Sequence, residues 1–327
     1  MRFRDKILVP ALKKAGPTIL WLLKIILPIS LVVRFLDYYG IIALVATYLD
    51  PVFNYLGLPG STAIVFVTSI FLPLYAPLAI ITSMSLTLRE LTILALMCQI
   101  AHNLPVESAV QARTGNSFWG MSLLRITASI AIGFVLNLIL PREMGMPIFT
   151  QTGIEAISSI PELLMAWLQT SLATSLIIAS IVFVLHLLYL LLQEYNLIPR
   201  LSKAVEPLMK FFGLPTSTTF LWLIGYIVGL AYGGALMIDQ MREGKVTRTE
   251  ADLLNHHLAV SHSVIEDNLL FVALGVSFGL ILGVRLTLAW IVVWIRRGIL
   301  SLTLKRNYSV KPNERWPSSL GQGHGEE

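Results

Sequence analysis

The sequence YLGLPGST at residues 55–62 returns as FFGLPTST at residues 211–218. An acidic residue followed by proline precedes both copies, at positions 50–51 and 206–207. Downstream, matched residues follow in one order, with a short insertion in the second copy. These pairs are His102 with His262, Glu107 with Asp267, Ser108 with Asn268, Gly115 with Gly275, Ser117 with Ser277, Arg125 with Arg285 and Thr127 with Thr287. This ordered series predicts that the chain is built from two homologous halves.

The composition is that of a membrane protein. Of the 327 residues 55% are hydrophobic and 13% are charged, with a mean hydropathy of +0.74, whereas soluble domains carry about 25% charged residues. Several apolar runs approach the ~20 residues that cross a bilayer as a helix. The runs are Pro17–Phe35, Gly60–Met84, Phe118–Leu140, Leu163–Leu192, Thr216–Ile238 and Val276–Leu300. Because they are continuous and do not alternate, they exclude a β-barrel and predict an all-α polytopic membrane protein.

Each half is predicted to contain a short apolar helix that ends at polar residues. These helices are Leu91–Ala101 and Leu253–Ser261. A helix rises 1.5 Å per residue, so each covers only about half of the hydrocarbon core. Each must therefore continue as a broken helix or turn back as a re-entrant segment, and transporters with internal repeats bind substrates where such segments meet.

The charges of the loops favour halves of opposite orientation. Loop 37–59 has no lysine or arginine, whereas its counterpart 193–215 carries three. Basic loops are typical of the cytoplasmic side, so the two loops are expected on opposite sides. Loop 240–250, which carries Arg242, Lys245 and Arg248, argues against this assignment. We therefore favour inverted repeats and keep parallel repeats as the alternative.

The ends of the chain are basic. We divide the chain into a basic N-terminal segment 1–16, a first half 17–148, a second half 149–307 and a polar tail 308–327 that is predicted to be disordered. Short basic flanks beside spans predict that both termini are cytoplasmic in a bacterial inner membrane. No basic face is interleaved with exposed aromatic residues, which excludes a nucleic-acid partner. The lone cysteine, Cys98, excludes an intrachain disulfide.

Several motifs resemble a known domain. They are Leu36-Asp37-Tyr38-Tyr39-Gly40, the Gly-Leu-Pro stretch, Ala76-Pro77 and the run LTILALMCQIAHNLPVESA at 91–109. These resemble the Gate, or nucleoside recognition, domain of bacterial ferrous-iron transporters and of spore maturation proteins A and B, which is distantly related to concentrative nucleoside transporters. The resemblance covers roughly residues 17–140 and 161–300. It implies nucleosides or a cation as substrate. The cysteine that precedes Ala/Val-Pro in the iron transporters is absent here, and so is a Gly-x4-Gly-Lys-Ser/Thr motif.

Two polar patches lie at the ends of the short helices and contain most of the predicted substrate-binding residues. The first contains His102, Asn103, Pro105, Glu107 and Ser108, and the second contains His256, His257, His262, Glu266, Asp267 and Asn268. Ionisable residues inside a membrane cost several kcal/mol unless they are paired or hydrated, so they indicate function. His262 and Glu266 are four residues apart and could share a proton on one helix face. The alternative is that both patches are water-exposed loop tips.

The second span of each half is predicted to be interrupted. Pro73, Tyr75 and Pro77 interrupt it in the first half, and Tyr232, Gly233 and Gly234 in the second. An aromatic residue beside an unwound backbone suits an organic ligand. Kinked packing through small residues is an equal alternative.

Two arginines recur inside the last span of each half. Arg125 and Arg285 are predicted to pair with a carboxylate such as Glu107 or Asp267. We expect no metal site, because His257 and His262 are poorly spaced on a helix and no His-Glu-x-x-His motif occurs. No cofactor is expected.

These features predict a secondary transporter or permease that binds an unidentified small molecule or ion between its halves. The alternative is a non-transporting membrane subunit that docks a partner protein, as the likeness to spore maturation proteins allows. An enzyme is not favoured, because no known catalytic spacing occurs. The predicted partners are the lipid bilayer and either another membrane protein or further copies of this chain.

Overall fold

The computed structural model describes residues 4–147, 159–195 and 197–310, and this part of the chain is helical with no β-strand. The all-α prediction is therefore confirmed. Within these ranges a short π-helical turn, Arg4–Leu8, precedes fourteen α-helices. They are α1 (Val9–Tyr38), α2 (Ile41–Asn54), α3 (Ala63–Phe71), α4 (Tyr75–Ile81), α5 (Leu88–Ala101), α6 (Leu104–Arg113), α7 (Phe118–Ile139), α8 (Ile160–Glu194), α9 (Leu197–Phe211), α10 (Thr219–Ile227), α11 (Leu230–Arg242), α12 (Arg248–Val260), α13 (Val264–Val272) and α14 (Phe278–Val310). Residues 148–158 and 311–327, which include most of the predicted tail, lie outside the described residues.

Helices α1–α7 and α8–α14 occur in a corresponding order. In each series a long helix is followed by a shorter helix, then by two pairs of short helices, and then by a final long helix. A 3₁₀ turn follows each Gly-Leu-Pro, at Gly60–Thr62 and Thr216–Thr218. Capping boxes begin α5 and α12, at Thr87 and Thr247, where a threonine and a glutamate three residues later satisfy each other's backbone N–H groups.

Within the described residues, four segments are long and apolar enough to cross a membrane. They are Leu88–Arg113, which joins α5 and α6, Phe118–Ile139, Ile160–Leu192 and Phe278–Leu302. Along α5 every residue from Leu91 to Ala101 is buried, so this helix lies inside the bundle and does not face lipid.

The predicted span Gly60–Met84 is divided into α3 and α4. Helix α3 ends at Phe71 and Leu72 is extended, with φ −126° and ψ 157°, because Pro73 disfavours helical geometry at the residue before it. Tyr75 and Pro77 lie within the first turn of α4, where proline is tolerated. The interruption therefore precedes these two residues.

In the second half the span is interrupted, but the predicted position of the interruption is wrong. Tyr232 and Gly233 lie inside α11, and the break falls earlier, at Val228 and Gly229. Gly229 has a φ of 102°, a conformation that glycine adopts readily and other residues do not. Gly233 instead permits close packing: an added Cβ would lie 3.3 Å from the Cα of Gly225. The side chain of Tyr232 lies outside the described part of the chain.

A second kind of break separates α5 from α6 and α12 from α13. Asn103 and Ser263 occupy these breaks with φ of 46° and 45°. Their N–H groups donate to the carbonyl oxygens of Ser69 and Gly225, at 2.8 and 2.9 Å. Each break is therefore tied to the preceding short pair, α3–α4 or α10–α11.

The two broken helices lie antiparallel and in contact with each other. Gln111 Nε2 near the end of α6 donates to the carbonyl of Asn255 in α12, at 2.9 Å. Gln99 Nε2 in α5 donates to the carbonyl of Asp267 in α13, also at 2.9 Å. Residues early in one segment thus face residues late in the other, and this antiparallel arrangement brings the two breaks together.

Candidate functional site

The two breaks place two histidine rings against one carboxylate. The rings of His102 and His262 have centroids 5.1 Å apart. His102 Nε2 lies 3.3 Å from Glu107 Oε1, and His262 Nε2 lies 3.2 Å from Glu107 Oε2. His102 is 5% exposed, His262 is 1% exposed and Glu107 is 7% exposed. They are buried inside the protein, so the alternative that they are exposed loop tips is wrong for them.

The backbone determines which ring nitrogens carry hydrogen. His102 Nδ1 lies 2.9 Å from the carbonyl oxygen of Gln99, and His262 Nδ1 lies 2.7 Å from that of Leu258. A carbonyl oxygen can only accept a hydrogen bond, so both Nδ1 atoms donate. On a neutral ring the lone pair is then on Nε2, which faces Glu107. Each ring thus directs a lone pair at one oxygen of the carboxylate, an arrangement that a proton or another cation between them would stabilise.

Arg125 holds the first break and the carboxylate together. Its Nε donates to the carbonyl of Ile100 at 2.7 Å and one terminal nitrogen donates to that of His102 at 2.8 Å. The other terminal nitrogen lies 2.6 Å from Glu107 Oε2. The carbonyls at the end of α5 lack helical partners, and a cation at a helix C-terminus is favoured. The pairing considered for Arg125 is thus present.

Arg285 makes the equivalent contacts in the second half. It donates to the carbonyls of Val260, at 3.4 Å, and of His262. It also donates to Asn268 Oδ1 at 3.1 Å and lies 3.4 Å from Asp267 Oδ2. Asp267 pairs less closely with Arg285 than Glu107 does with Arg125, because Asn268 also binds the guanidinium group of Arg285. Asp267 therefore faces its own arginine and not the two histidines.

Glu266 has a different partner from the predicted one. The helical pairing of His262 with Glu266 is wrong, because the left-handed Ser263 separates His262 from α13. Glu266 instead accepts a hydrogen bond from the hydroxyl of Tyr75. Tyr75 lies in α4 of the first half, so this bond links the α3–α4 pair to the second break.

The structure brings most of the predicted residues to this junction. Ser108 accepts a hydrogen bond from Ser122 at 2.9 Å, and Asn268 Oδ1 lies 3.3 Å from Gln99 Nε2. Pro73 lies at the turn beside Asn103, whose N–H also contacts the carbonyl of Leu72 at 3.2 Å. Pro77 is buried in α4.

Two histidines of the second patch lie elsewhere. His257 Nε2 accepts a hydrogen bond from Trp222 and contacts Tyr226, and His256 lies beside Asp252 at 3.6 Å. Sequence reasoning missed Gln99, a fully buried residue that joins the halves. An amide within the otherwise apolar run 91–101 was the available signal, because a buried amide requires partners.

His102, Glu107 and His262 are also a possible metal-ligand set, since their ligand atoms all lie within 4.8 Å of one another. The expectation of no metal considered only histidines within one half.

Comparisons with known proteins agree with a membrane chain of this kind. A model of the Gate family, described as nucleoside recognition, matches residues 19–117. The chain is 31% identical over 281 residues to the uncharacterized membrane protein YvoD of Bacillus subtilis strain 168, an alignment that covers 84% of this chain and 89% of that protein. The chain belongs to the Gate family. No solved structure matches it.

The part of this Gate protein that the family model matches contains only some of the site. Residues 19–117 include His102 and Glu107, whereas His262 and Arg125 lie beyond that range. Family membership and the four apolar spans together assign the protein to a membrane.

Proposed function

We propose that this Gate protein is a secondary permease of the bacterial inner membrane, with a substrate or ion site around Glu107 between two inverted repeats. The observation that carries the proposal is the convergence of His102 and His262 on Glu107. One histidine comes from each half, and both lie at helix breaks. Buried ionisable groups at such breaks are typical of ion and substrate pathways.

The contacts between the broken helices support the inverted arrangement. Asn116, just after α6, donates to Asp252 near the start of α12 at 2.7 Å. Helix α12 therefore starts at the end of the bundle where α6 ends. The pairs α5–α6 and α12–α13 then cross the membrane in opposite directions, as inverted repeats require and parallel repeats do not.

The contacts of α7 support the proposal that α5 and α6 form one broken span and not a re-entrant hairpin. Arg89 at the start of α5 donates to the carbonyl of Asn137 near the end of α7, at 2.7 Å. Ser108 in α6 contacts Ser122 near the start of α7. Helix α6 thus continues along α7 in the direction set by α5.

The re-entrant elements in this proposal are α3–α4 and α10–α11. Asn137 also donates to the carbonyl of Tyr55 at 3.0 Å, so α3 begins at the same end of the bundle as α5. The turn after α3 reaches the break at Asn103, and α4 returns within a few residues of α5. In the second half Ser217 bonds to Glu250, at 2.5 Å, which gives the same geometry.

Each half then crosses the membrane three times, by its long first helix, its broken helix and its long last helix. An odd number of crossings inverts the second half relative to the first. Six crossings place both termini on one side, in agreement with the basic ends predicted to be cytoplasmic. The hairpin tips approach the two breaks from opposite sides, so movement of one half against the other would expose the site alternately.

Uptake into proteoliposomes tests the proposal. Purified protein is reconstituted and supplied separately with nucleosides, divalent metal ions and a proton gradient. We expect uptake of at least one of these above that of protein-free liposomes. The alternative of a non-transporting subunit predicts no uptake of any of them, together with one membrane protein that co-purifies in a fixed ratio.

A further inference from the structure

The ligand atoms at the junction have the spacing of a metal site. Zinc binds histidine nitrogen and carboxylate oxygen at about 2.0–2.2 Å, which in a tetrahedral site places neighbouring ligand atoms about 3.3–3.5 Å apart. The measured separations are 3.3 Å for His102 Nε2 to Glu107 Oε1 and 3.2 Å for His262 Nε2 to Glu107 Oε2. The carboxylate can thus face an ion held between the two rings.

One of these ligand atoms is buried without a directed hydrogen bond. His262 Nε2 lies 3.2 Å from Glu107 Oε2, but within the described part of the chain this nitrogen makes no well-aligned hydrogen bond. The His262 side chain is almost completely buried. A buried ring nitrogen that faces a carboxylate oxygen without an aligned hydrogen bond has its lone pair available to a cation.

The hydrogen bonds that hold the ligand side chains in place are also typical of a metal site. Histidine ligands usually donate their other ring N–H to a carbonyl or a carboxylate, which fixes the tautomer. Both Nδ1 atoms here donate to backbone carbonyls. Arg125 contacts Glu107 Oε2 and orients the carboxylate.

The charge of the cluster favours a bound cation. The carboxylates are those of Glu107, Glu266 and Asp267, and the guanidinium groups are those of Arg125 and Arg285. With neutral histidine rings the cluster has one negative charge in excess. A divalent cation between the rings would use both Nε2 lone pairs and change this excess to one positive charge, so the cluster stays within one charge of neutrality.

We propose that His102, Glu107 and His262 bind one first-row divalent transition-metal ion. Two imidazoles and one carboxylate suit zinc-like ions, whereas magnesium and calcium prefer oxygen ligands alone. Three protein ligands leave one position open, as reversible binding requires. The inference rests on the proposed function, because it names the ligand class of the same site.

Cobalt(II) is the probe for this site. Wild-type protein in detergent is stripped with a chelator and titrated with Co²⁺, followed by Zn²⁺. We expect one equivalent of Co²⁺ with the visible absorption of a tetrahedral site, and displacement by Zn²⁺. His102→Gln and His262→Gln should each weaken binding by about tenfold or more. His186→Gln is the matched control, because this half-buried histidine bonds to the carbonyl of Val182 in α8, outside the cluster.

The results that overturn the inference are equally specific. They are no Co²⁺ binding to folded wild-type protein, or binding that is unchanged in both ligand variants. X-ray absorption of zinc-loaded wild-type protein covers the case in which the variants do not fold, and should show two imidazole ligands; a shell without imidazole contradicts the proposal. A protein that transports protons or nucleosides without binding Co²⁺ would overturn this inference and leave the permease intact. Metal binding without any uptake would support this inference and contradict the permease.

Discussion

Asn103 and Ser263 adopt the same left-handed backbone conformation, with φ of 46° and 45°, at the breaks of the two antiparallel helices. This conformation costs most residues about 1–2 kcal/mol, and asparagine tolerates it better than serine does. Each N–H donates to a carbonyl of the neighbouring hairpin, which compensates part of that cost. The same strained geometry at both breaks frees the carbonyls that Arg125 and Arg285 bind, and so builds the junction around Glu107.

The strain at Ser263 predicts that two substitutions there differ in their effect on stability. Ser263→Gly removes the Cβ that disfavours positive φ, so its stability should stay within about 1 kcal/mol of wild type. Ser263→Val introduces a β-branched side chain and should lose about 1–2 kcal/mol or more. Thermal unfolding in detergent measures both. Equal stability of the two variants would show that the backbone at this break is not strained.

The buried pair of Arg125 and Glu107 predicts strong coupling. Arg125→Met leaves a buried carboxylate without its arginine and should cost about 3–5 kcal/mol. The double variant Arg125→Met/Glu107→Gln should lose less than the sum of the single losses, by about 0.5–3 kcal/mol. The exposed pair Lys6–Glu194, at 2.6 Å, is the control and should contribute about 0–1 kcal/mol. Additive losses at Arg125 and Glu107 would mean that the pair does not form.

The hydrogen bond from Tyr75 to Glu266 predicts that the α4 hairpin stabilises the second break. Tyr75→Phe removes the hydroxyl alone and should cost about 1.5–3 kcal/mol, because the acceptor is a carboxylate. Tyr48→Phe is the matched control: Tyr48 is 77% exposed, so the change should stay within about 0.5 kcal/mol. If the two substitutions have the same effect on unfolding, the hairpin does not hold Glu266.

The contact between α2 and the turn at Gly60 predicts a position-specific glycine effect. A methyl group on Gly60 would collide with the carbonyl oxygen of Ala46 and would lie 2.6 Å from the backbone nitrogen of Asp50. Backbone atoms cannot move aside as a flexible side chain can, so Gly60→Ala should cost about 1–3 kcal/mol. Gly283→Ala in α14 meets nothing within 4 Å and should be neutral or stabilising by up to about 1 kcal/mol. Unfolding midpoints that rank these two variants the other way would contradict the packing described for α2.

The sequence predicted the helical class and the equivalent arginines because those features repeat along the chain. Arg125 and Arg285 recur among matched neighbours, and each lies within reach of the carboxylate considered for it. The convergence of His102 and His262 on Glu107 was not predictable in this way. It depends on how two distant segments cross, which neither half specifies by itself.

Local geometry explains the predictions that were wrong. Tyr232 and Gly233 suggested a break, but the positive φ of Gly229 places it one helical turn earlier. The spacing of His262 and Glu266 suggested one helix face, but Ser263 interrupts the helix between them. A single left-handed residue changes the direction of every side chain that follows it, and residue spacing does not reveal where that residue lies.

The measurement that tests the proposed site most directly is flux through proteoliposomes that contain wild-type protein, Glu107→Gln or Glu194→Gln. All three proteins should be folded and reconstituted in equal amounts, and the flux is that of the ion or solute that the wild type carries. We predict that Glu107→Gln reduces this flux to the level of protein-free liposomes, whereas Glu194→Gln leaves it unchanged. A folded Glu107→Gln protein with wild-type flux would contradict a site centred on this carboxylate.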